Sequence, residues 1–321
     1  MSAKKYDVTA LGELLIDFTD CGVSAQGNPV MEANPGGAPC NVLSELCRLG
    51  HRTAFIGRVG DDMFGRQLLS AVRAVGIDTV GAVTDPEVNT TLAFVKKLPD
   101  GDRDFSFYRS PGADMRLSAE DIKPELISES RVFHFGTLSM THPGCREATE
   151  TALRLARESG CVISFDPNLR PPLWKNAGDM REAALCGIRR CDVLKIADNE
   201  VEALFGSNDY ERAARMLAAE YGIALVLVSL GDKGSLAASG EECVFAPAFR
   251  VQSIENTGAG DCFMACALDF VLKNGLRRYT REELFSMLRF ANAAAAIVTT
   301  RRGALSVMPT EEEINALMNS R

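Results

Sequence analysis

The chain has 321 residues, of which 46% are hydrophobic and 24% are charged, and its formal net charge is −8. This length suits one large α/β unit with a small appendage, and the apolar content is enough for a sizeable buried core. The acidic balance, without a concentrated Lys/Arg run, argues against a nucleic-acid partner and leaves small neutral substrates open.

Short apolar runs alternate with amphipathic segments along most of the chain. The runs, each typical of a buried strand, are 8–11, 53–56, 161–165, 193–196 and 225–230. The amphipathic segments end at glycines that are typical of helix C-termini, namely Gly50, Gly76, Gly160, Gly206 and Gly222. This alternation predicts a mostly parallel sheet covered by helices on both faces, with ligands collecting beyond the carboxyl ends of the strands.

Two segments, at about 14–34 and 89–115, interrupt this alternation of strands and helices. In the second segment, apolar runs at 92–95 and 105–108 flank turn-forming residues at 99–102, which predicts a β-hairpin. A small antiparallel sheet inserted into an α/β body suits a lid that excludes water from a reaction; an edge hairpin without function is the alternative. The predicted division is an α/β domain at 1–13, 35–88 and 116–321, and a β lid at 14–34 and 89–115.

The stretch Thr257-Gly258-Ala259-Gly260-Asp261 precedes an amphipathic run and is predicted to open a helix. Two glycines leave the first N–H groups of that helix bare, and with the helix dipole they form an anion site. A carboxylate there would repel a resting phosphate, but it suits a base that takes a hydroxyl proton during phosphoryl transfer. The motif indicates phosphoryl transfer to an alcohol; a helix N-cap role for Asp261 is the alternative.

Residues 255–261 resemble the signature of the ribokinase-like (PfkB) carbohydrate kinases, and the resemblance covers nearly the whole chain, most closely to the fructokinases of that family. It implies a three-layer α/β/α fold with a small β-sheet lid that often serves as a dimer clasp. It implies an ATP-dependent sugar kinase that uses Mg²⁺, with Asp261 as general base and an anion hole at Gly258, Ala259 and Gly260.

The resemblance also implies the sugar side of the site. Asp17, just past the first strand, resembles the family's ligand for sugar hydroxyls. Gly36, Gly37 and Asn41 belong to a glycine turn before a helix that resembles the family's sugar-binding signature. Arg109 belongs to a stretch in which an arginine of related fructokinases approaches the sugar, and its planar donors suit hydroxyls or a carboxylate. A solvated hairpin arginine is the alternative.

The nucleotide side is implied in the same way. Residues 166–170, Asp-Pro-Asn-Leu-Arg, are followed by Leu-Trp and resemble the kinase segment in which Arg170 faces the transferring phosphate. The implied ATP-binding residues are Lys195, Asn199, Ser229, Gly231, Gly234 and Asn292. Because no Walker A pattern is present, ATP binding must use the helix terminus instead of a P-loop lysine.

Two cation sites follow from the resemblance. Asn199 and Glu202 are one helical turn apart and match the family's Asn-x-x-Glu element, which positions Mg²⁺ through water; an exposed acidic helix start is the alternative. Glu255 stands where the family usually has Asp in the segment near its monovalent-cation loop. Since its extra methylene would displace a K⁺ ligand, dependence on K⁺ stays open.

Ten cysteines without a C-x-x-C pair, many of them in apolar surroundings, are interpreted as reduced core residues of a cytoplasmic protein. An apolar N-terminal signal and an apolar run of about 18 residues are both absent, so we expect no export and no membrane anchor. Three histidines are too scattered for a zinc motif.

The resemblance implies conversion of D-fructose and ATP to D-fructose 6-phosphate and ADP, in a homodimer joined through the lid. A 2-keto-3-deoxygluconate kinase, a ribokinase or a nucleoside kinase would use the same chemistry. A sugar sensor would have lost the base, yet Asp261 is present. An NAD dehydrogenase would need G-x-G-x-x-G after the first strand, where residues 12–14 read Gly-Glu-Leu.

Overall fold

The computed structural model describes residues 4–97 and 103–320, which fold into two sheets and ten α-helices. The strands are β1 (Tyr6–Leu11), β2 (Leu15–Val23), β3 (Pro29–Gly36), β4 (Thr53–Gly60), β5 (Asp78–Asp85), β6 (Leu92–Lys97), β7 (Arg103–Tyr108), β8 (Ser130–Gly136), β9 (Val162–Asp166), β10 (Val193–Ala197), β11 (Leu225–Ser229), β12 (Gly234–Ser239) and β13 (Glu242–Pro247). The helices are α1 (Ala38–Arg48), α2 (Met63–Ala74), α3 (Pro124–Ser128), α4 (Pro143–Glu158), α5 (Ala177–Ile188), α6 (Asp198–Phe205), α7 (Tyr210–Tyr221), α8 (Ala259–Asn274), α9 (Arg281–Thr299) and α10 (Glu311–Asn319).

The central sheet has nine strands in the order β13-β12-β11-β10-β9-β8-β1-β4-β5. Neighbours from β11 to β5 run parallel, while β12 and β13 add an antiparallel hairpin at one edge. The five apolar runs predicted as strands are β1, β4, β9, β10 and β11, so the mostly parallel sheet is confirmed. The sequence pattern missed β8, because Arg131 and His134 interrupt a run in which Phe133 and Phe135 are fully buried.

Each face of this sheet carries its own hydrophobic core. Residues of β1 alternate between the two cores: Val8 and Ala10 belong to the one that includes side chains of α1, α2, α8, α9 and α10. Leu11 belongs to the other, which is built with α3 to α7. Helices therefore cover both faces, as predicted, and each of the five glycines predicted to end a helix adopts a positive φ.

The smaller sheet has four strands in the order β3-β2-β6-β7. Both hairpins, β2–β3 and β6–β7, are antiparallel, but they join through the parallel pair β2–β6. The expected antiparallel sheet is therefore wrong in detail, since two hairpins placed side by side through their first strands give a mixed sheet. Phe18 and Phe94 lie opposite each other across this junction, with ring centroids 4.8 Å apart. The turn predicted at 99–102 lies outside the described residues.

All ten cysteines are free thiols, and eight of them are buried. This agrees with their interpretation as core residues. None of the described helices has both the length and the apolar character needed to cross a bilayer.

Candidate active site

Two adjoining cavities lie at the carboxyl ends of the central strands, beneath the smaller sheet. One, of about 190 Å³, is lined by Asp17, Asn41 and Asp261. The other, of about 470 Å³, is lined by Asn199 and Ser229. The residues that line both cavities are Phe107, Asn168, Arg170, Lys195 and Gly260. Two ligands placed end to end would therefore meet beside Arg170, Lys195 and Gly260.

The glycine turn opens α8, as predicted. Gly258 holds the N-cap position with φ 79°, and the helix begins at Ala259. A Cβ on Gly258 would lie 2.9 Å from the Cβ of Ala304, so glycine is required here by both conformation and space. Gly260 in this first turn lines both cavities, so the N-terminus of α8 adjoins the wall that they share and suits an anion there.

Asp261 lies in the first turn of α8 with 9% of its surface exposed. Since Gly258 occupies the N-cap, the alternative that Asp261 caps the helix does not apply. Its Oδ2 accepts a hydrogen bond of 2.8 Å from Asn41 Nδ2. Burial raises the pKa of Asp261 above the usual carboxyl range, and the bond from Asn41 with the charges of Lys195 and Arg170 opposes that rise. A carboxylate of raised pKa is better matched to taking a proton near neutral pH.

The amide oxygen of Asn41 has no hydrogen-bond partner among the described residues. Asn41 Oδ1 is buried and accepts no hydrogen bond from any described residue. A buried polar atom left in this state costs about 1–3 kcal/mol. Because Asn41 lines the smaller cavity, a ligand hydroxyl bound there would satisfy this oxygen.

The predicted sugar turn packs tightly around Asp17. A Cβ on Gly36 would lie 2.4 Å from Asp17 Oδ2, and a Cβ on Gly37 would lie 2.4 Å from the carbonyl oxygen of Glu13. Gly37 also has φ 129°, which side chains rarely adopt. Burial raises the pKa of Asp17 to about 7, although the charge of Arg170 acts against this.

No role was predicted for Glu13, which lines the smaller cavity. Its Oε1 accepts a hydrogen bond of 2.8 Å from the N–H of Ala38, the first residue of α1. Burial raises the pKa of Glu13 to about 7. Glu13 thus fixes the start of the helix that carries Asn41, and its only sequence signal was a carboxylate directly after a buried strand.

Lys195 belongs to a buried charge network. Its Nζ lies 2.9 Å from Asp166 Oδ2 and 3.2 Å from Oδ1. Glu200 is buried beside this pair and accepts two backbone N–H bonds at 2.9 Å. Burial alone would lower the pKa of Lys195, but the charges of Asp166 and Glu200 raise it above its usual value. The ammonium therefore stays protonated beside Gly260, whose missing Cβ would lie 3.1 Å from Nζ.

The segment that carries Arg170 is strained. Asn168 and Arg170 have φ of 46° and 47°, and among the described residues they are the only non-glycine residues with positive φ. Arg170 donates a hydrogen bond of 2.5 Å to Asn168 Oδ1, and Trp174 Nε1 donates one of 2.6 Å to the carbonyl of Leu169. Strain of this kind collects at functional sites. The exposed Arg170 guanidinium lies in the wall shared by the two cavities.

The predicted cation ligands lie at two places. Asn199 is exposed and lines the larger cavity. Glu202 is exposed one turn further along α6, where it accepts a hydrogen bond of 2.5 Å from the Tyr210 hydroxyl, and it does not line that cavity.

Glu255 accepts hydrogen bonds from Thr257 Oγ1 at 2.7 Å and from Gly303 N at 3.2 Å. Glu255 thus ties the segment before α8 to the loop after α9.

The loop after β11 contains three of the predicted nucleotide residues. Ser229 ends that strand and lines the larger cavity. Gly231 and Gly234 have φ of 58° and 126°, and a Cβ on Gly234 would lie 2.1 Å from the carbonyl oxygen of Ala246. The structure explains Gly234 by this close approach of β12 to β13.

Two predicted ligands have side chains engaged within the protein, outside both cavities. Arg109 is 5% exposed, and its guanidinium donates to Asp114 at 2.8 Å, to a threonine hydroxyl and to a backbone carbonyl. The alternative of a solvated arginine is therefore wrong. Asn292 is 7% exposed; it accepts a hydrogen bond from Ser235 at 2.8 Å and donates one to the carbonyl of Ala246 at 3.1 Å. It joins α9 to the edge hairpin.

Comparisons with known proteins agree with this geometry. The family profile described as pfkB family carbohydrate kinase matches residues 5–311. Fructokinase-1 of Zea mays is 39% identical over 320 residues, which is 99% of each chain. Fructokinase from Xylella fastidiosa with bound ATP superposes with a TM-score of 0.87 at 30% identity over 98% of each chain. A fructokinase double mutant from Vibrio cholerae O395, in a form with bound fructose, ADP and potassium ion, superposes with a TM-score of 0.86 at 28% identity, covering 99% of this chain and 100% of that one.

Proposed function

Because the chain belongs to the PfkB family of carbohydrate kinases, we propose that this ATP-dependent, fructokinase-like sugar kinase converts D-fructose to D-fructose 6-phosphate. The observation that carries the proposal is the buried Asp261 carboxylate at the start of α8, in the wall of the smaller cavity and next to Gly260, which lines both cavities. Curated relatives named fructokinase over nearly the full length favour fructose over 2-keto-3-deoxygluconate, ribose or a nucleoside.

The smaller cavity would hold the sugar. Asp17 would accept hydrogen bonds from its hydroxyls, and the unpartnered Asn41 Oδ1 would accept another. Gly36 and Gly37 would let the sugar approach the backbone closely. Arg109 would act indirectly: its buried pair with Asp114 would hold the chain where it leaves the smaller sheet.

The larger cavity would hold ATP, with its γ-phosphoryl group at the wall shared with the sugar. Asp261 would take the proton of the 6-hydroxyl as the hydroxyl oxygen forms its bond to the γ-phosphorus and the bond to the β,γ-bridging oxygen breaks. The N–H groups of residues 258–261, Arg170 and Lys195 would stabilise the charge on the transferring group, and ADP would leave. Ser229, Gly231, Gly234 and Asn292 would shape the remainder of the nucleotide site.

Magnesium would be held through water by Asn199 and Glu202. Asn199 lines the larger cavity and Glu202 lies one turn further along α6. Both offer oxygen donors, which suits a cation that keeps most of its waters; when bound, magnesium neutralises charge on the phosphates. Glu255 is the proposed contact to a K⁺ site, supported by its place between the segment before α8 and the loop after α9.

The smaller sheet would act as a lid and as the contact between two copies. The contact between two copies is supported by the exposure of large side chains on this sheet, where Val23 is 71% and Tyr108 is 68% exposed. The proposed lid comprises 14–34 and 89–115, and the rest of the chain forms the kinase domain. A cytoplasmic location belongs to the same proposal, supported by ten free cysteines that suit a reducing compartment.

The test is ADP release from Mg·ATP with fructose, 2-keto-3-deoxygluconate, ribose, adenosine and glucose, each measured with K⁺ and with Na⁺. We expect the highest kcat/KM with fructose. A higher value with another sugar would overturn the substrate and keep the chemistry. No turnover with any of them, from folded protein that binds ATP, would overturn the proposal.

A further inference from the structure

Two thiols and a carboxylate form a compact buried cluster behind the turn that opens α8. Glu45 comes from α1, and Cys262 and Cys266 come from α8. One ligand atom of each lies within 4.8 Å of the other two, and all three side chains are buried. Among the described residues, no other group of three or more His, Cys, Asp and Glu side chains is this close. The spacing of four residues places both thiols on one face of α8.

The Glu45 carboxylate lacks the hydrogen bonds that its burial requires. Its surface exposure is 0%, and Oε2 has no partner among the described residues. Oε1 receives only a weak Sγ–H bond of 3.7 Å from Cys266. Buried carboxylates are normally paired, strongly hydrogen-bonded or bound to a metal. A buried carboxylate with one unpartnered oxygen, packed against two thiols, is a donor set suited to a cation.

We propose that Glu45, Cys262 and Cys266 bind one thiophilic divalent cation of the Zn²⁺ class. With Zn–S near 2.3 Å and Zn–O near 2.1 Å, neighbouring ligand atoms of a tetrahedral ion lie about 3.6–3.8 Å apart. The 3.7 Å contact between Glu45 and Cys266 already matches this spacing. The other pairs, within 4.8 Å, need a closure of about 1 Å or less. A water molecule would complete the four ligands.

The surroundings balance the charge of such a site. Two thiolates and a carboxylate around a divalent cation leave one negative charge, and the cations Arg48 and Arg301 both act on Glu45 while Asp269 opposes them. Thiols and a carboxyl group bind such an ion in their deprotonated forms, so binding would release protons.

The cation would join the two helices that carry the proposed base and its partner. Asn41 lies one turn before Glu45 on α1, and Asp261 directly precedes Cys262 on α8. The hydrogen bond between Asn41 and Asp261 spans the same pair of helices. The ion would therefore be structural, holding this pair in place, and separate from the Mg²⁺ that accompanies ATP.

The test is a Co²⁺ titration of the metal-free full-length protein, with Co²⁺ as a spectroscopic probe for Zn²⁺. We expect one equivalent to bind with a thiolate-to-cobalt charge-transfer band, to be displaced by Zn²⁺ and to be indifferent to Mg²⁺. Cys266→Ser and Glu45→Gln should each weaken binding by about 100-fold. Cys47→Ser is the matched control, since Cys47 lies on α1 and is bonded to Thr53, outside the cluster.

Absence of the band, a band that survives in both cluster variants, or loss of the band in Cys47→Ser would each overturn the proposal. If the variants do not fold, X-ray absorption of the wild-type zinc complex, which counts the sulfur ligands of the ion, tests the proposal instead. Two sulfur ligands near 2.3 Å support the site, and any other number of sulfur ligands overturns it. None of these readings depends on kinase activity, so a failure here is distinct from a failure of the proposed function.

Discussion

Replacement of Lys195 by methionine should destabilise the fold strongly, because it removes the cation from a buried network. The ammonium is 2.9 Å from Asp166, and the two side chains are 9% and 3% exposed. Methionine keeps the length of the aliphatic stem but leaves Asp166 and Glu200 buried without a counter-charge. Breaking a buried pair in this way costs about 3–5 kcal/mol.

This loss of about 3–5 kcal/mol in stability corresponds to a measurable decrease in Tm. At about 2.1 cal/mol/K per residue, a chain of 321 residues has an unfolding entropy of about 0.7 kcal/mol/K. The Tm measured by calorimetry should fall by about 4–7 °C at pH 8. It should fall less at pH 5, where the stranded carboxylates can take up protons.

Lys273→Met is the matched control. Lys273 pairs with Asp269 at a similar distance, 3.0 Å, but its side chain is 48% exposed. Because Lys273 is half exposed and Asp269 keeps its hydrogen bond with His51, this pair should contribute at most about 1 kcal/mol, so its loss should shift Tm by about 1.5 °C or less. Equal shifts for the two variants would refute the reasoning, because they would show that burial of the Lys195 network adds nothing.

Three further predictions concern the sugar cavity and the smaller sheet. The pKa of Asp17 is raised to about 7, so its carboxylate gains a proton as the pH falls below this value. The affinity for fructose, measured by calorimetry, should therefore drop about tenfold from pH 8 to pH 6, while the affinity for ATP serves as the control. A fructose affinity that does not change with pH would contradict the role of Asp17 as a sugar ligand. Gly37→Ala places a Cβ 2.4 Å from Glu13 O at a positive φ, so fructose KM should rise about tenfold or more. Gly144→Ala, whose Cβ would meet Leu117 O at 3.8 Å as its nearest contact beyond its own helix turn, should leave KM unchanged, and equal effects would argue against the close approach. Val23→Lys should shift the protein from dimer to monomer in size-exclusion chromatography; a wild-type monomer would contradict the proposed contact.

Features set by local sequence were the ones that could be predicted. The strands β1, β4, β9, β10 and β11 followed from continuous apolar runs, and the helix stops followed from glycines. The turn at 257–261 was recognisable because small residues gave way abruptly to an amphipathic run. Each of these patterns lies within a few residues of the element that it determines.

Contacts between distant residues could not be predicted. The hydrogen bond between Asn41 and Asp261 joins positions 220 residues apart. The Lys195–Asp166 pair joins the ends of neighbouring strands 29 residues apart. Lys195 lies within the predicted strand 193–196, but nothing local marks Asp166 as its partner. Arg109 shows the same limit, because its place in a hairpin suggested either solvent or ligand, and its burial depends on Asp114 and on the chain beyond it.

The most direct test of the account is the turnover of Asp261→Asn. With Mg·ATP and fructose, kcat should fall by about 10²-fold or more, while the affinities for fructose and ATP, measured by calorimetry, stay within a few-fold of wild type. Asp269→Asn, a buried carboxylate on the same helix, is the control and should keep kcat. A kcat of Asp261→Asn close to that of wild type would show that Asp261 is not the base.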